Sequence, residues 1–327
     1  MVTIVHCQSF AGRGWLSHYY HFFFACLIPL IDFHFDTTLD QKCYLSPDSY
    51  DKLGPFQHTL TDDLPLCLPP TQWPSFEREN SYVSVDLPSY DIYDNKLYAN
   101  ETIPRLNPAV TIPHIVKYFD GLISTPINQA QQAHTSTERI ILVIERSVEP
   151  FYDKNKGLSK KSPPNAFTSG STRRRIANHQ ELVQALEAKF GGGGGGGIGY
   201  TVVNESLEGK DMREQYRLFQ SASLVVAQHG AALSNIVFMD KHSSHVVEIS
   251  PPYSRRAQYF RNIAQHVGVS YSSVMQRRNR GKVNISLVLA HVECIIKQKD
   301  AASWSSASPR EHACGDVVHD ALTRDSR

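Results

Sequence analysis

The turn at residues 228–231, with the sequence Q-H-G-A, combines residue types that suit anion binding. It follows the apolar residues 224–227, which are typical of a strand buried on both faces, and apolar residues return at helical spacing from position 232. A glycine between a buried strand and a helix lets the backbone approach a ligand, and the free N–H groups of a helix start attract negative charge. The sequence therefore predicts a phosphate or nucleotide site at this turn.

Three consecutive arginines, at positions 173–175, precede a second predicted helix start. Asn178 and Glu181 have the spacing of a capping box there. Positive charge at the start of a helix opposes the helix dipole, and a guanidinium fork suits phosphate, so the arginines indicate an anionic partner. A solvated basic loop is the alternative interpretation.

The elements that must position these residues alternate between strand and helix. The clearest strand is R-I-I-L-V-I-E at 139–145, and it is followed by a polar loop, a helix after Asn178, and a repeating pattern of strands and helices as far as residue 249. Such alternation predicts a parallel sheet with helices on both faces. Further elements are predicted as a helix at 255–267, a strand at 269–274 and a helix at 286–296.

The glycine run at 191–197 contains G-x-G-x-x-G in letters only. It follows a helix rather than a strand, so it lacks the context of a dinucleotide-binding turn, and we interpret it as a flexible connection.

The apolar run at 19–35 is interrupted by His21, Pro29, Asp32 and His34. Charged and helix-breaking residues are costly in a membrane, so the run favours a buried helix over a signal anchor. No cleavable signal peptide is visible at 1–10, and if the protein is tethered to a membrane, we expect the tether to lie outside this chain. Residues 36–113 indicate loops and short strands on a small sheet.

Composition excludes some classes of function. The chain has 33 Lys plus Arg against 32 Asp plus Glu, so it lacks the positive field that drives nucleic-acid binding. None of the six cysteines forms a C-x-x-C pair, which argues against a zinc ribbon. Four of them lie in the first part of the chain, where disulfides can form but cannot be paired from the sequence. Sequons at Asn100, Asn204 and Asn284 are usable only in a secretory compartment.

Three blocks carry a resemblance to a known family. They are R-R-R-I-A-N-x-x-E-L, then E-Q-x-x-L-F-Q-S-A-S-L-V-V-A-Q-H-G-A-A-L-S-N-I-V-F-M, then V-V-E-I-S-P. They resemble glycosyltransferase family 61, which contains protein O-mannose β-1,4-N-acetylglucosaminyltransferase, the EGF-domain O-GlcNAc transferase and plant xylosyltransferases. The resemblance covers residues 139–252 well, and His21 and Phe22 are similar to the start of the family's N-terminal helix motif.

This resemblance implies an α/β fold with a GT-B-like two-lobed architecture and a parallel-sheet, Rossmann-like C-terminal lobe. Residues 1–125 would form the N-terminal, acceptor-side lobe and residues 126–299 the nucleotide-sugar-binding lobe. The composition of residues 300–327 predicts a disordered tail. The implied reaction is transfer of N-acetylglucosamine or xylose from a UDP-sugar, with inversion, to a glycan or glycoprotein acceptor in the Golgi or endoplasmic reticulum lumen.

The resemblance also implies a pyrophosphate turn formed by His229, Gly230 and Ala231, with Asn235 in the helix behind it. A departing UDP gains negative charge, so N–H groups and cations there stabilise the transition state more than the ground state. No D-x-D occurs in the chain, so we expect the UDP-sugar to serve as co-substrate without a divalent metal or another cofactor.

Arg146 and Arg175 would contact the diphosphate, and Asn178 would belong to the same donor-binding site. Glu248, at the end of a predicted strand, would accept hydrogen bonds from ribose hydroxyls.

The sequence does not single out one residue as the base that deprotonates the acceptor hydroxyl. Some relatives carry an acidic residue at the position of Ala25, and His21 or Asp32 could take its role here. We take His21 and His229 as the candidate catalytic residues. A buried, helix-packing role is the alternative for His21, and a catalytically inactive, nucleotide- or glycan-binding protein is the alternative for the whole chain.

Overall fold

The computed structural model describes a defined set of residues in two compact units. The described residues are 2–7, 22–36, 43–53, 56–60, 64, 66–72, 82–87, 108–123, 139–146, 175–192, 199–251, 259–276 and 281–301. The first unit comprises Met1–Gln131 with Lys210–Tyr216, and the second comprises Gln132–Gly209 with Arg217–Arg327. His21, most of the loop after residue 146, the middle of the glycine run and the predicted tail beyond residue 301 lie outside the described residues.

The first unit contains a small parallel sheet with the strand order β2-β1-β3. Its elements are β1 (Val2–His6), α1 (Ile28–Asp36), β2 (Cys43–Leu45), α2 (Pro47–Leu53), β3 (Tyr82–Asp86) and α3 (Pro108–Ile123). The small sheet predicted for this region is confirmed, but the sequence analysis assigned no strand to β1. This strand is central, since Val5 is opposite Leu45 on one side and Val85 on the other.

Two disulfides hold the sheet of the first unit to its surroundings. Cys7, directly after β1, is bonded to Cys26, and Cys43 in β2 is bonded to Cys67. The closed loops span 19 and 24 residues, for which the loss of chain entropy in the unfolded state stabilises the fold by about 3 kcal/mol each. The sequence left open whether the first four cysteines form disulfides, and the structure shows two and supplies their pairing.

The apolar run near the start of the chain is a buried helix, as predicted. A π-helical turn at Phe23–Leu27 continues into α1, and the side chains from Phe22 to Leu27 are completely buried. Asp32, in α1, accepts hydrogen bonds from Thr111 Oγ1 at 2.8 Å and from His114 Nδ1 at 3.0 Å, both in α3. Among the described helices, none has the length and hydropathy needed to span a membrane.

The second unit contains a five-stranded sheet with the order β5-β4-β6-β7-β8, in which all neighbours are parallel. Its elements are β4 (Arg139–Glu145), α4 (His179–Phe190), β5 (Tyr200–Ser206), α5 (Met212–Ser221, which begins in the first unit), β6 (Ala222–Gln228), β7 (His245–Ser250), α6 (Tyr259–Val267), β8 (Ser270–Met275) and α7 (Ile285–Ala301). The predicted alternation and parallel pairing are confirmed. The helix after the Q-H-G-A turn is a 3-10 helix, Ala231–Phe238.

Both faces of this sheet are covered. Ile141 and Val143 of β4 belong to a core that also contains apolar side chains of α4 and α7. Because successive side chains of a strand point to opposite faces, the buried Leu142 and Ile144 point to the other face. The sheet is therefore buried on both faces, as expected for a parallel sheet in an α/β fold.

The strand order places a topological switch point between β4 and β6. The chain moves from β4 to its neighbour β5 and then returns to the other side of β4 to form β6. In open parallel sheets, ligands bind at the carboxyl ends of the strands at such a point. The ends of β4 and β6 are residues 145 and 228, which directly precede Arg146 and His229.

Candidate functional site

A cavity of about 260 Å³ lies at the switch point of the second unit. It is lined by Ile144, Glu145, Arg146, Arg175, Ile176, Ala177, His179, Gln180 and Gln228. The end of β4, the end of β6 and the first turn of α4 therefore meet at this cavity. The structure brings Arg146 and Arg175, the two arginines proposed from the sequence, to the same cavity, although they are 29 positions apart in the chain.

Arg146 is seated against the Q-H-G-A turn. Its Nη2 donates a hydrogen bond to the carbonyl oxygen of His229 at 3.2 Å. A β-carbon built on Gly230 would lie 1.7 Å from the same nitrogen, so the guanidinium fills the space that a side chain would need. A side chain at position 230 would therefore displace the guanidinium of an arginine that itself lines the cavity.

The loop that carries Arg175 is held by the segment before α7. The Asn178 amide donates to the carbonyl of Val283 at 3.1 Å and accepts from its N–H at 2.8 Å, and the N–H of Ala177 donates to Gly281 at 3.0 Å. Asn178 is the N-cap residue of α4, but it makes no side-chain cap bond, so the predicted capping box is wrong. Its amide instead makes the two buried hydrogen bonds to Val283, which we call the Asn178 clamp. This clamp holds the loop that carries the exposed Arg175 at the rim of the cavity.

A second polar cluster at the cavity was not found from the sequence. Asn204 Nδ2 donates to Glu145 Oε2 at 3.3 Å, and His179 Nε2 lies 2.8 Å from Asn204 Oδ1. Because the amide nitrogen faces Glu145, the amide oxygen accepts the Nε2–H of His179. The Glu145 side chain is 44% exposed, so it can accept hydrogen bonds from a ligand. The only sequence signal for it was its position at the end of the clearest strand.

His229 and Glu248 form a buried pair next to the turn. They are 5% and 2% exposed, and His229 Nδ1 donates to Glu248 Oε1. Ser250 Oγ donates to the same oxygen at 3.0 Å, and the Tyr271 hydroxyl donates to Glu248 Oε2. Burial and the adjacent carboxylate raise the pKa of Tyr271 well above its ordinary value, so this hydroxyl stays protonated and acts as a donor.

The bonds of Glu248 favour a positioning role. Both of its oxygens accept hydrogen bonds from side chains of the protein, and it does not line the cavity. The bond to Nδ1 fixes the tautomer and the ring orientation of His229. The imidazole also packs edge to face on Phe260, with 5.1 Å between the ring centroids. The ribose contact expected for Glu248 stays a prediction.

The remaining candidates lie in different places. Ala231 begins the 3-10 helix, and Asn235 lies completely buried behind the turn, where its Nδ2 donates to the carbonyl of Ala232 at 3.1 Å. His21 is outside the described residues, and Asp32 belongs to the first unit, where α3 engages both of its oxygens. The proposed roles of these residues stay predictions.

Comparisons with known proteins give consistent results. The family model described as Glycosyltransferase 61 matches residues 19–247. Over 115 residues the chain is 28% identical to a protein of Arabidopsis thaliana named beta-1,2-xylosyltransferase. The aligned stretch is 35% of this chain and 21% of the plant protein, so the chain matches only about a fifth of that relative.

Proposed function

Because the chain belongs to glycosyltransferase family 61, we propose that it is an inverting glycosyltransferase that uses a UDP-sugar as donor. The transferred sugar is N-acetylglucosamine or xylose, and the acceptor is a glycan or a glycoprotein. The observation that carries this proposal is the cavity at the switch point, which two arginines flank. The second unit is the donor lobe of a GT-B-like enzyme in this proposal, and the first unit is the acceptor-side lobe.

The chemistry of donor cleavage explains the arginines. When the glycosidic bond breaks, negative charge develops on the departing UDP, and preorganised cations stabilise that charge. Arg146 is preorganised, because its guanidinium is bonded to the carbonyl of His229 and seated on Gly230. Arg175 is at the rim, on a loop held by the Asn178 clamp.

The remaining roles extend the same proposal. Glu248 and Tyr271 orient His229 beside the diphosphate, and His21 takes the proton of the acceptor hydroxyl as inversion requires. Since the chain has no D-x-D, we propose that departure of UDP needs no divalent metal.

The two disulfides of the first unit support an oxidising compartment, which is the Golgi or endoplasmic reticulum lumen in this proposal.

The proposal is tested by incubating the purified chain with a panel of UDP-sugars and measuring binding, hydrolysis and transfer to glycan and peptide acceptors. We expect UDP to bind and one UDP-sugar to be consumed. Arg146→Met should weaken UDP binding, and His229→Ala should lower turnover by a large factor while the protein stays folded. If the folded protein bound no UDP-sugar, the proposal would be abandoned. UDP binding without transfer to any acceptor would support an inactive, glycan-binding protein instead.

A further inference from the structure

Gln228, the last residue of β6, has a buried acceptor atom with no hydrogen-bond partner among the described residues. The residue is 3% exposed and belongs to the lining of the cavity at the switch point. Its Oε1 makes no hydrogen bond to any of the residues that the structure describes. A buried acceptor without a partner is costly, and most such groups in native proteins are bonded to something. Because no described residue supplies that donor, a ligand bound in the cavity is the candidate source.

A second glutamine fixes the orientation of this amide. Gln276 is completely buried, and its Nε2 donates to the backbone carbonyls of Arg175 and Gly281. The opposite orientation would place the amide oxygen against two carbonyl oxygens, so the Oε1 of Gln276 must face Gln228. It accepts a hydrogen bond from Gln228 Nε2 at 2.9 Å. Gln228 therefore cannot turn its own oxygen towards Gln276.

The surroundings of Gln228 define the chemistry of the ligand. The same cavity is lined by Arg146 and Arg175, which favour an anion, and by the half-exposed carboxylate of Glu145, which favours a hydrogen-bond donor. A ligand that satisfies all of these groups carries negative charge together with O–H or N–H groups. A nucleoside diphosphate has this combination, since its ribose hydroxyls and the imide N–H of a uracil base are donors.

We propose that Gln228 is a specificity-determining residue of the donor site, whose Oε1 accepts a hydrogen bond from an O–H or N–H group of the nucleotide. Gln276 is the positioning residue that keeps this oxygen available, and it links the acceptor to the loop of Arg175. The inference rests on the proposed use of a UDP-sugar, because the nucleoside part of that donor would supply the hydrogen bond that Gln228 Oε1 accepts.

The test compares UDP with analogues that each lack one donor, using calorimetric titration of the full chain. The analogues are 2′-deoxy-UDP, 3′-deoxy-UDP and UDP methylated at N3 of the base. We expect one of them to bind the wild-type protein roughly 10- to 100-fold more weakly than UDP, because it leaves the buried acceptor unpaired. The analogue that loses affinity identifies the ribose or the base as the source of the donor.

Variants connect that discrimination to the two glutamines. Gln228→Met, which has a similar volume and no acceptor amide, should bind UDP and the discriminated analogue within roughly threefold of each other. Gln276→Met should reduce the same ratio, because the Gln228 amide is then no longer held. Ser234→Ala is the matched control, since Ser234 Oγ is another buried atom without a partner among the described residues and does not line the cavity. It should leave the ratio unchanged.

The outcomes separate this inference from the function on which it rests. Equal binding of UDP and all three analogues to the wild-type protein would overturn the role of Gln228 while the proposed function stands. No binding of UDP to the folded protein would overturn both. The wild-type comparison decides the matter even if Gln228→Met fails to fold, and thermal unfolding without ligand reports whether each variant is folded.

Discussion

The guanidinium of Arg146 occupies the space in which a side chain at Gly230 would lie, with Nη2 only 1.7 Å from the position of a β-carbon. The backbone of Gly230 is extended, so its φ angle alone does not demand glycine. A side chain there would instead meet the arginine, which is held at the turn by its bond to His229. The absence of a side chain at Gly230, just after a core strand, thus leaves room for the Arg146 guanidinium at the cavity.

Gly230→Ala should therefore act through Arg146. The new methyl group displaces the guanidinium from the cavity, so Arg146 loses its proposed hydrogen bond to the diphosphate. A hydrogen bond to a charged group contributes roughly 1.5–3 kcal/mol, so we expect UDP affinity to fall about tenfold or more. Calorimetric titration with UDP measures the change. In an Arg146→Met background the same substitution should have little further effect, because the two residues act as one unit. Independent, additive losses would contradict this coupling.

Tyr271→Phe should destabilise the second unit. It removes the donor to Glu248 Oε2 and leaves a buried carboxylate oxygen without that bond, which costs roughly 1–3 kcal/mol of the free energy of unfolding. Urea unfolding measures the loss. A loss below about 0.5 kcal/mol would show that the bond to Glu248 contributes nothing specific.

His245 should make the protein sensitive to mild acid. Desolvation, Lys299 and His291 lower the pKa of His245 from 6.5 to about 3, and desolvation also lowers the pKa of His291. A histidine with a lowered pKa in the folded state binds its proton only on unfolding, so stability is present above about pH 6.5 and is lost as the pH falls towards 3.

In the interval from pH 6.5 to 4.5 both His245 and His291 contribute to the loss of stability, whereas Glu293, whose pKa its lysine partners lower from 4.5 to about 2, contributes mainly below it. Urea-unfolding midpoints should fall across this interval in the wild-type protein and fall less in His245→Gln. The same slope in both proteins would remove His245 from the explanation.

Only one of the two described sequons should accept a glycan. Asn204 is partly buried, and its amide is bonded to Glu145 and His179. Asn284 is exposed and caps α7 with its Oδ1, which accepts from the N–H of Leu287 at 3.1 Å, so its Nδ2 can be modified while the cap is kept. Expression in a secretory host and treatment with an N-glycosidase measures occupancy.

Ser286→Ala, which destroys the sequon and leaves the cap, should remove one glycan, and Ser206→Ala should remove none. Asn100 lies outside the described residues. A glycan on Asn204 would contradict the placement of that residue.

Transfer should survive chelation. Because the proposal assigns the charge on departing UDP to Arg146 and Arg175, excess EDTA should leave the rate of sugar transfer within about twofold of its initial value. The rate is measured with the UDP-sugar that the panel identifies. Loss of activity with EDTA, followed by recovery with Mn²⁺ or Mg²⁺, would show that a metal shares this role.

The sequence by itself determined the order of the elements in the second unit and the position of the turn. These follow from local patterns, because the spacing of apolar residues within one segment, about every two residues in a strand and every 3.6 in a helix, indicates the type of element. The expected parallel sheet and the buried helix near the start rest on such patterns, whereas the pairing of the glycine turn with Arg146 and Arg175 came from the resemblance to glycosyltransferase family 61. The missed β1 is a five-residue strand whose central position depends on β2 and β3, which lie far along the chain.

Only the tertiary structure decided which side chains share the cavity and what each one bonds. Strand order and register bring together Glu145, His179 and Asn204, and they place Gln276 behind Gln228 across 48 positions of the chain. Asn178 shows why sequence rules fail at such places, since its amide binds Val283, 105 positions away, instead of capping its own helix. Local spacing tells which bonds a side chain can make, but the competition between local and distant partners is settled only when the sheet has assembled.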